Sequence, residues 1–300
     1  MNRPNIQNLR APRSGFTLLE LLAVITIISI LLALILPAIG GAMRNARNAE
    51  VSAEFTRLTT SITSFKAEYN LEPWSEILLP ENWVATPCTA TSRTRIRRIW
   101  PQFNFEPRDG SGNPIFFDFN GDGLFTGDPN RADDAVFLNG SECLVFFLGG
   151  MRTMQPDVGL IGFSKNPINP FTRAGENRTI PHEFKPDQLS DVDGDGMLDY
   201  MDSLPDQRTP ILYVSSNNGQ GYLKSDGNLN FYVEADGKTP WKKSSFQLIS
   251  PGEDGEFGFE PIIDTGNPPL GLPQPYSEDT DVPRDQADNI CNFNPGGTLG

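Results

Sequence analysis

The feature that most constrains this chain is an apolar run near its N-terminus that carries a single charge. The run extends from Phe16 to Leu36, contains Glu20 as its only charged residue, and is followed by Pro37. At about 1.5 Å per helical residue it reaches roughly 30 Å, enough to cross a bilayer. Because a carboxylate in lipid costs free energy, a helix that only anchors would have no use for Glu20. The run therefore predicts a membrane helix that later packs against copies of itself, where a cation can meet the carboxylate.

Two simpler interpretations of this segment compete with that prediction. A secretory signal peptide has an apolar core of about 7–15 residues, which is shorter than this run. A plain membrane anchor fits the length but does not explain Glu20. The preceding residues, 1–15, contain Arg3, Arg10 and Arg13 and no acidic residue. Positively charged flanks stay in the cytoplasm, so we expect the chain after Pro37 to lie in the periplasm or outside the cell.

The residues around the start of the run carry a family resemblance. The segment Gly15-Phe16-Thr17-Leu18-Leu19-Glu20 resembles the processing site of type IV pilins and of type II secretion pseudopilins. The resemblance implies that a prepilin peptidase cleaves between Gly15 and Phe16 and methylates the new amine of Phe16. It also implies that Glu20 pairs with the Phe16 amine of a neighbouring subunit during assembly. The expected partners are this peptidase, inner-membrane lipid before assembly, and further copies or other pseudopilins in a filament.

A second apolar pattern predicts that the helix continues well beyond the run. Its apolar residues recur at steps of four and three, which is typical of one face of a helix. Gly40 and Gly41 mark a weak joint behind Pro37, and Pro73 ends the pattern. We expect one helix from Phe16 to about Tyr69, whose face needs a sheet to pack against. The residues of this face are Val51, Phe55, Leu58, Ile62, Phe65 and Tyr69.

The remainder of the chain has short β-like runs separated by Gly, Pro, Asn and Asp. Together with the helix they predict an α+β, type IV pilin-like fold: a long helix, transmembrane in its first half, packed on an antiparallel sheet with long loops. The predicted organisation is a leader (1–15), a transmembrane and filament-core helix (16–37), an amphipathic helical half (38–70) and a β-rich body (71–300). The predicted strands are Ile115–Phe119, Cys143–Leu148, Leu160–Phe163, Ile211–Ser215, Leu229–Val233 and Phe246–Ser250.

Charge and composition narrow the function of the body. The formal net charge of -14 argues against general binding to nucleic acid or anionic lipid, and it suits a protein that holds divalent cations. Three cysteines predict one disulfide and one buried thiol, with the pairing left open. His182 is the only histidine and lies in a Pro-rich stretch without a nucleophile motif, so we expect it at the surface and expect no enzymatic activity.

The strongest local motif in the body is an acidic loop at residues 191–202. Its oxygen-bearing residues stand at the spacing of an EF-hand-type Ca²⁺ loop, with Gly196 at the sharp turn. The carbonyl oxygen of Met197 would be the ligand at position 7, and prolines on both sides argue against flanking helices. A solvated acidic turn is the alternative. The predicted side-chain ligands are Asp191, Asp193, Asp195, Asp199 and Asp202.

Two further segments are candidate Ca²⁺ sites. Asp118, Asn120 and Asp122 begin the same pattern, but Pro129 stands at its last position, where Asp128 or Asp133 could substitute. The other candidate depends on resemblance alone. Residues 246–255 and 287–290 look like the last strand and calcium loop of major pseudopilins, which implies Asp254 as a ligand. The second carboxylate would come from Asp279, Asp281, Asp285 or Asp288.

Two more features bear on function. Residues 109–115 are similar to the Asp-Pro-Trp-Gly-Asn-Pro turn of major pseudopilins. Arg93, Arg95, Arg97 and Arg98 alternate with apolar residues, which favours a strand with one solvated face or contacts with a neighbouring subunit. The chain is thus predicted to be a filament subunit of a type II secretion or pilus-like system. A minor pilin that binds DNA or surfaces, and a membrane-tethered calcium-binding domain that never polymerises, remain alternatives.

Overall fold

A computed structural model describes residues 17–83, 89–123, 135–154, 157–205, 207–222, 231, 239–255, 257 and 289–293. The chain divides into two compact units, Met1–Ala46 and Arg47–Gly300. A long apolar helix comes first and small antiparallel sheets follow it. This is the expected α+β layout, and it is consistent with a type IV pilin-like fold.

The first helix, α1, extends from Leu18 to Tyr69, which confirms the predicted helix over the described residues. It continues through Pro37 and through Gly40–Gly41, so the weak joint expected there is helical in the isolated chain. The predicted apolar face is also confirmed. Val51, Phe55, Leu58, Ile62 and Phe65 are each at most 2% exposed, and Tyr69 is partly buried.

Two more α-helices, one 3-10 turn and nine short strands follow α1 among the described residues. The 3-10 turn is Pro186–Gln188. The other elements are β1 (Ile77–Pro80), α2 (Thr89–Ile99), β2 (Ala135–Leu138), α3 (Gly140–Gly149), β3 (Met151–Arg152), β4 (Leu160–Ile161), β5 (Leu189–Ser190), β6 (Asp199–Tyr200), β7 (Leu212–Ser215), β8 (Phe246–Ser250) and β9 (Ile290–Cys291).

The strands form four small antiparallel sheets and not the one sheet that was expected. Three of them are two-stranded antiparallel pairs, β1 with β2, β3 with β4, and β5 with β6. The fourth has the order β7-β8-β9, with Leu212 opposite Ile249 and Ile249 opposite Cys291. Every residue of β8 is buried, so this strand is the centre of the largest described sheet.

The predicted strands have mixed outcomes. Phe246–Ser250 is confirmed, and the strand predicted at Ile211–Ser215 is present as Leu212–Ser215. The strand predicted at Leu160–Phe163 is present but ends at Ile161. Residues 115–119 form no strand, and Leu229–Val233 lies largely outside the described residues. The prediction at Cys143–Leu148 is wrong, because these residues belong to helix α3.

Helix α3 is fixed by its ends. Asn139 caps its N-terminus: its side chain accepts from the backbone N–H of Glu142, and the Glu142 side chain accepts from the N–H of Asn139. At the other end Gly150 adopts a φ of 93°, which ends the helix in a conformation that suits glycine. Every residue from Gly140 to Gly149 is buried, so the helix has no polar face that a helical period could reveal.

The core of the unit that contains residues 47–300 joins α1, α2 and α3 through aromatic side chains. Phe65 of α1 contacts Phe147 of α3, with ring centroids 5.9 Å apart. Trp100, directly after α2, packs edge-on against Phe163 and Phe171 at 4.8 and 5.0 Å. This packing places the N-terminus of α3 inside the body and next to the acidic loops.

The cysteines and the predicted turn complete the fold. Cys143 and Cys291 are both buried and are not joined to each other, while Cys88 lies outside the described residues. The turn predicted at residues 109–115 is present. Asp109 Oδ1 accepts from the N–H groups of Ser111 and Asn113, both at 2.8 Å, and Gly112 has a φ of 88°.

Candidate functional site

The first half of α1 is exposed along its whole length among the residues that the structure describes. All side chains from Thr17 to Ala46 are exposed, including Leu18 and Leu34, which are 81% and 71% exposed. Within the described residues, α1 is the one helix long and apolar enough to cross a membrane. Such a large apolar surface needs lipid or other helices around it. The geometry therefore supports membrane anchoring.

Glu20 has a local contact that sequence reasoning missed. Its Oε2 accepts hydrogen bonds from the backbone N–H and the hydroxyl of Thr17, at 2.9 and 2.8 Å, and Thr17 Oγ1 accepts from the Glu20 N–H at 3.2 Å. This is a capping box at the first turn of α1, so a structural role of Glu20 exists beside the assembly role. Gly15 and Phe16 lie outside the described residues.

The Asp191 loop, residues 191–202, is held by hydrogen bonds from its own backbone. Asp191 Oδ1 accepts from the Gly194 N–H at 2.9 Å, and Asp195 Oδ1 accepts from the Met197 N–H at 2.7 Å. Gly194 and Gly196 have φ angles of 79° and 93°, which a glycine adopts without strain. These contacts hold the backbone around Asp191 and Asp195 in a tight turn.

One group of acidic side chains comes together at this loop. One carboxylate oxygen from each of Glu142, Asp193 and Asp195 lies within 4.8 Å of the other two. Among the described residues, this is the group of acidic side chains close enough together to hold a metal ion. Asp193 and Asp195 were predicted as ligands. Glu142 was missed, because it lies far away in sequence and its capping-box role explains it locally.

The surroundings of Glu142, Asp195 and Asp199 disfavour the charged form of each carboxyl group. Burial is the main cause that raises the pKa of Glu142 to about 9. The hydrogen bond from Asn139 opposes this shift, and the charges of Asp199, Asp195 and Asp193 add to it. Burial likewise raises the pKa of Asp195 and that of Asp199 to about 6. A divalent cation would relieve these costs, since it supplies the positive charge that the cluster lacks.

The residues at the two ends of the predicted EF-hand pattern, Asp191 and Asp202, are bound to other side chains. Asp191 Oδ2 lies 3.3 Å from Nη1 of Arg152, which also donates to the carbonyl oxygen of Gly196 at 2.5 Å. Asp202 is buried and accepts from the Leu204 N–H, from Gln207 Nε2 and from Ser250 Oγ. The structure thus brings positions 3 and 5 together with Glu142 and leaves positions 1 and 12 outside the group.

The second acidic loop, which begins at Asp118, packs against the first. Asn120 Nδ2 donates to the carbonyl oxygen of Asp195 at 3.3 Å and to Asp122 Oδ2 at 3.2 Å. A Cβ on Gly196 would lie 2.7 Å from the Cβ of Asn120, so the two loops touch where glycine leaves room. Asp118 Oδ1 accepts from the Gly121 N–H at 2.6 Å. Residues 124–134 lie outside the described residues.

The C-terminal candidate is only partly described. Asp254 is exposed in a turn, residues 252–255, that directly follows β8. Asp288 and the three other acids considered with it, Asp279, Asp281 and Asp285, lie outside the described residues. The ligand set implied by resemblance therefore stays a prediction.

His182 is buried, so the surface position expected from sequence is wrong. Its Nδ1 lies 3.1 Å from Ser61 Oγ, and its Nε2 lies 3.4 Å from Glu54 Oε1, facing the carboxylate without a well-aligned hydrogen bond. Glu54 also accepts from the hydroxyl of Tyr200 at 2.9 Å and pairs with Arg57. Ser61, His182 and Glu54 meet inside the core, where they tie α1 to the body.

The arginine cluster lies on helix α2, so the strand predicted for it is wrong. Arg95 lies 3.5 Å from Glu76 Oε1 and donates to the Glu76 carbonyl oxygen at 2.5 Å, and Arg93 lies 3.7 Å from Glu106. Arg97 and Arg98 are exposed and stack over Phe105 and Trp74. Arg95 and Arg98 also line an open groove of about 510 Å³.

Comparison with known proteins identifies the N-terminal segment. Residues 10–36 match the prokaryotic N-terminal methylation motif, the signal of type IV pilin-like proteins. No curated protein and no solved structure matches the chain. The motif and the long apolar helix behind it indicate a pilin-like structural protein that is processed by a prepilin peptidase.

Proposed function

We propose that this chain is a structural subunit of a type II secretion pseudopilus or of a type IV pilus-like filament. One observation carries the proposal: an N-terminal methylation motif precedes a helical half whose apolar side chains are all exposed in the single chain. Lipid covers this surface before assembly. Neighbouring helices cover it in the filament, where packing replaces lipid at little cost because both surroundings are apolar.

The assembly step follows from the chemistry of the first residues. Cleavage after Gly15 frees the amine of Phe16, and methylation leaves that amine charged. Glu20 then pairs with the Phe16 amine of an adjacent subunit, which fixes the register between neighbouring helices. The leader remains cytoplasmic and the body lies in the periplasm, or outside the cell once the filament has formed.

The experiment must separate this pairing from the capping box of Glu20. Glu20→Gln keeps the box, since glutamine serves at that position, but it removes the charge. We expect mass spectrometry of the wild-type protein to show a mature chain that begins at methylated Phe16. We expect Glu20→Gln to reach the membrane normally and to enter sheared filaments at least tenfold less than wild type, because its amide cannot neutralise the amine.

Glu20→Ala, which removes both the charge and the box, should assemble no better than Glu20→Gln. Wild-type incorporation of Glu20→Gln would overturn the pairing while leaving the anchor intact. A cellular protein that still begins at Met1 would overturn the filament function and favour a tethered domain that never polymerises.

The alternative function, a minor pilin that binds DNA or other surfaces, draws on the α2 arginines and their groove. Arg93 and Arg95 are engaged by acids of their own chain, and the body is strongly acidic. Such a field repels nucleic acid at ordinary ionic strength. The contacts of α2 therefore favour a role in holding the body together, and the filament subunit is the better-supported function.

A further inference from the structure

We propose that Glu142, in the first turn of α3, completes a Ca²⁺ site with Asp193 and Asp195 of the Asp191 loop. This site belongs to the body and goes beyond the assembly function of the N-terminal helix. Its ligand set differs from the EF-hand pattern in the loop sequence, because one ligand comes from a different element of the fold.

The spacing of the carboxylates suits one shared cation. Ca²⁺ binds its oxygen ligands at about 2.3–2.6 Å, so two oxygen atoms on the same ion lie within about 5 Å of each other. Glu142, Asp193 and Asp195 meet this limit, with one oxygen from each within 4.8 Å of the others. Three carboxylates at this distance repel one another unless a cation lies between them.

The buried oxygen atoms give a second, independent observation. Glu142 is fully buried, and its Oε2 accepts from the Asn139 N–H at 2.7 Å. Its Oε1 has no hydrogen-bond partner in the described part of the chain. Buried acceptors without donors are rare in native proteins because each one costs free energy. A hard cation with a preference for oxygen would satisfy Glu142 Oε1.

The loop ends explain why an outside ligand is needed. Asp191 is paired with Arg152, and Asp202 is held by Gln207 and Ser250, so neither end joins the group. Glu142 takes their place. The cation would then fasten the loop to α3 beside an existing contact, the hydrogen bond from the Tyr200 N–H to Ser141 Oγ at 2.8 Å.

The test uses the full chain in detergent micelles and follows its thermal midpoint, Tm, as Ca²⁺ is added after treatment with EGTA. We expect the wild-type Tm to rise with Ca²⁺ and to saturate. In Glu142→Gln the Ca²⁺ concentration that gives half of this rise should increase at least tenfold. In EGTA the Tm of this variant should lie close to that of wild type, since glutamine matches glutamate in size and keeps the capping box.

Glu142→Gln distinguishes a role of Glu142 as a Ca²⁺ ligand from its role in capping helix α3. Glutamine keeps the capping box, so a purely structural Glu142 would leave the Ca²⁺ response unchanged. Asp193→Asn, at an exposed position that substitution should not unfold, is expected to weaken the response to the same extent. Asp157→Asn removes an exposed acid outside the group and should respond like wild type.

Two outcomes would overturn the proposal: a wild-type Tm that does not change in millimolar Ca²⁺, or a Glu142→Gln variant that responds at the wild-type concentration. Neither outcome involves filament formation. The result of the assembly experiment on Glu20 is therefore independent of the result of this Ca²⁺ experiment.

Discussion

Two of the buried glutamates in the described body, Glu54 and Glu142, have neighbours that give them opposite properties. Glu54 is surrounded by donors. Burial alone would raise its pKa, but the contacts with His182, Arg57 and Tyr200 together outweigh burial and lower the pKa to about 2. Glu142 has one backbone donor and otherwise acidic neighbours, and its pKa is raised to about 9. The neighbours of Glu54 thus stabilise its charge, whereas the described surroundings of Glu142 disfavour a charge on it.

The charge of Glu54 predicts a specific loss of stability in acid. A folded-state pKa below the unfolded value of about 4.5 means that the carboxylate stabilises the fold above that pH. The contribution is then lost as the pH falls from about 4.5 to about 2. At about 1.4 kcal/mol per pKa unit, the shift from 4.5 to about 2 amounts to about 3–4 kcal/mol. We expect Glu54→Gln to lower the free energy of unfolding by about this amount at pH 7, and by much less near pH 2.

Urea unfolding of both proteins in EGTA, from pH 7 down to pH 2, measures this difference without a contribution from Ca²⁺. Glu50→Gln is a matched control on the same helix, because Glu50 is exposed and lies 3.8 Å from Lys185. An exposed pair of this kind contributes at most about 1 kcal/mol. A gap between wild type and Glu54→Gln that stays constant with pH would contradict the assigned role of the charge.

At the scale of secondary structure, α1 performs two tasks in different surroundings. Its C-terminal half packs an apolar face into the body, and its N-terminal half exposes apolar side chains all round. Leucine occurs in both halves: Leu58 is fully buried and Leu34 is 71% exposed. The same substitution at these two positions therefore tests whether the halves contribute separately to stability and to assembly.

We expect Leu58→Ala to lower the free energy of unfolding of the body by about 2–5 kcal/mol, because it removes buried methyl groups and leaves a cavity. Leu34→Ala should leave that free energy unchanged within about 0.5 kcal/mol, since the Leu34 side chain is largely exposed. Urea unfolding of the full chain in detergent, followed by tryptophan fluorescence, provides the comparison. An equal loss of stability in both variants would show that the first half of α1 also supports the body.

The helices show which elements sequence could predict. The apolar residues of α1 recur over many turns between polar residues, so the sequence alone showed the helical period. Helix α3 is buried on every side, and a short apolar run without a period is read as a strand as easily as a helix. Its ends did carry a usable signal, because Asn139 followed three residues later by Glu142 is a capping pattern. The same glutamate could not be recognised as a ligand, since its meeting with Asp193 depends on tertiary packing.

On the scale of the whole molecule, anchoring and body structure lie in different units of the chain. The buried apolar residues of the described core begin at Val51, and the side chains from Thr17 to Ala46 are exposed. The acidic loops, Glu142 and the four sheets all belong to residues 47–300. A filament subunit of this design can insert and assemble through one unit while the stability of the other is set by its own core and, as proposed, by Ca²⁺.

A chain shortened to residues 47–300 should therefore fold without detergent. We expect it to be monomeric by light scattering, because the exposed apolar surface has been removed and the remaining body is strongly acidic. Its Tm in EGTA should lie within a few degrees of the full chain in detergent, and it should show the same Ca²⁺ response. Its α1 remnant, residues 47–69, keeps the complete buried face, so packing can hold it helical without the preceding turns. Aggregation of this fragment, or a Tm far below that of the full chain, would show that the body depends on the first unit for its fold.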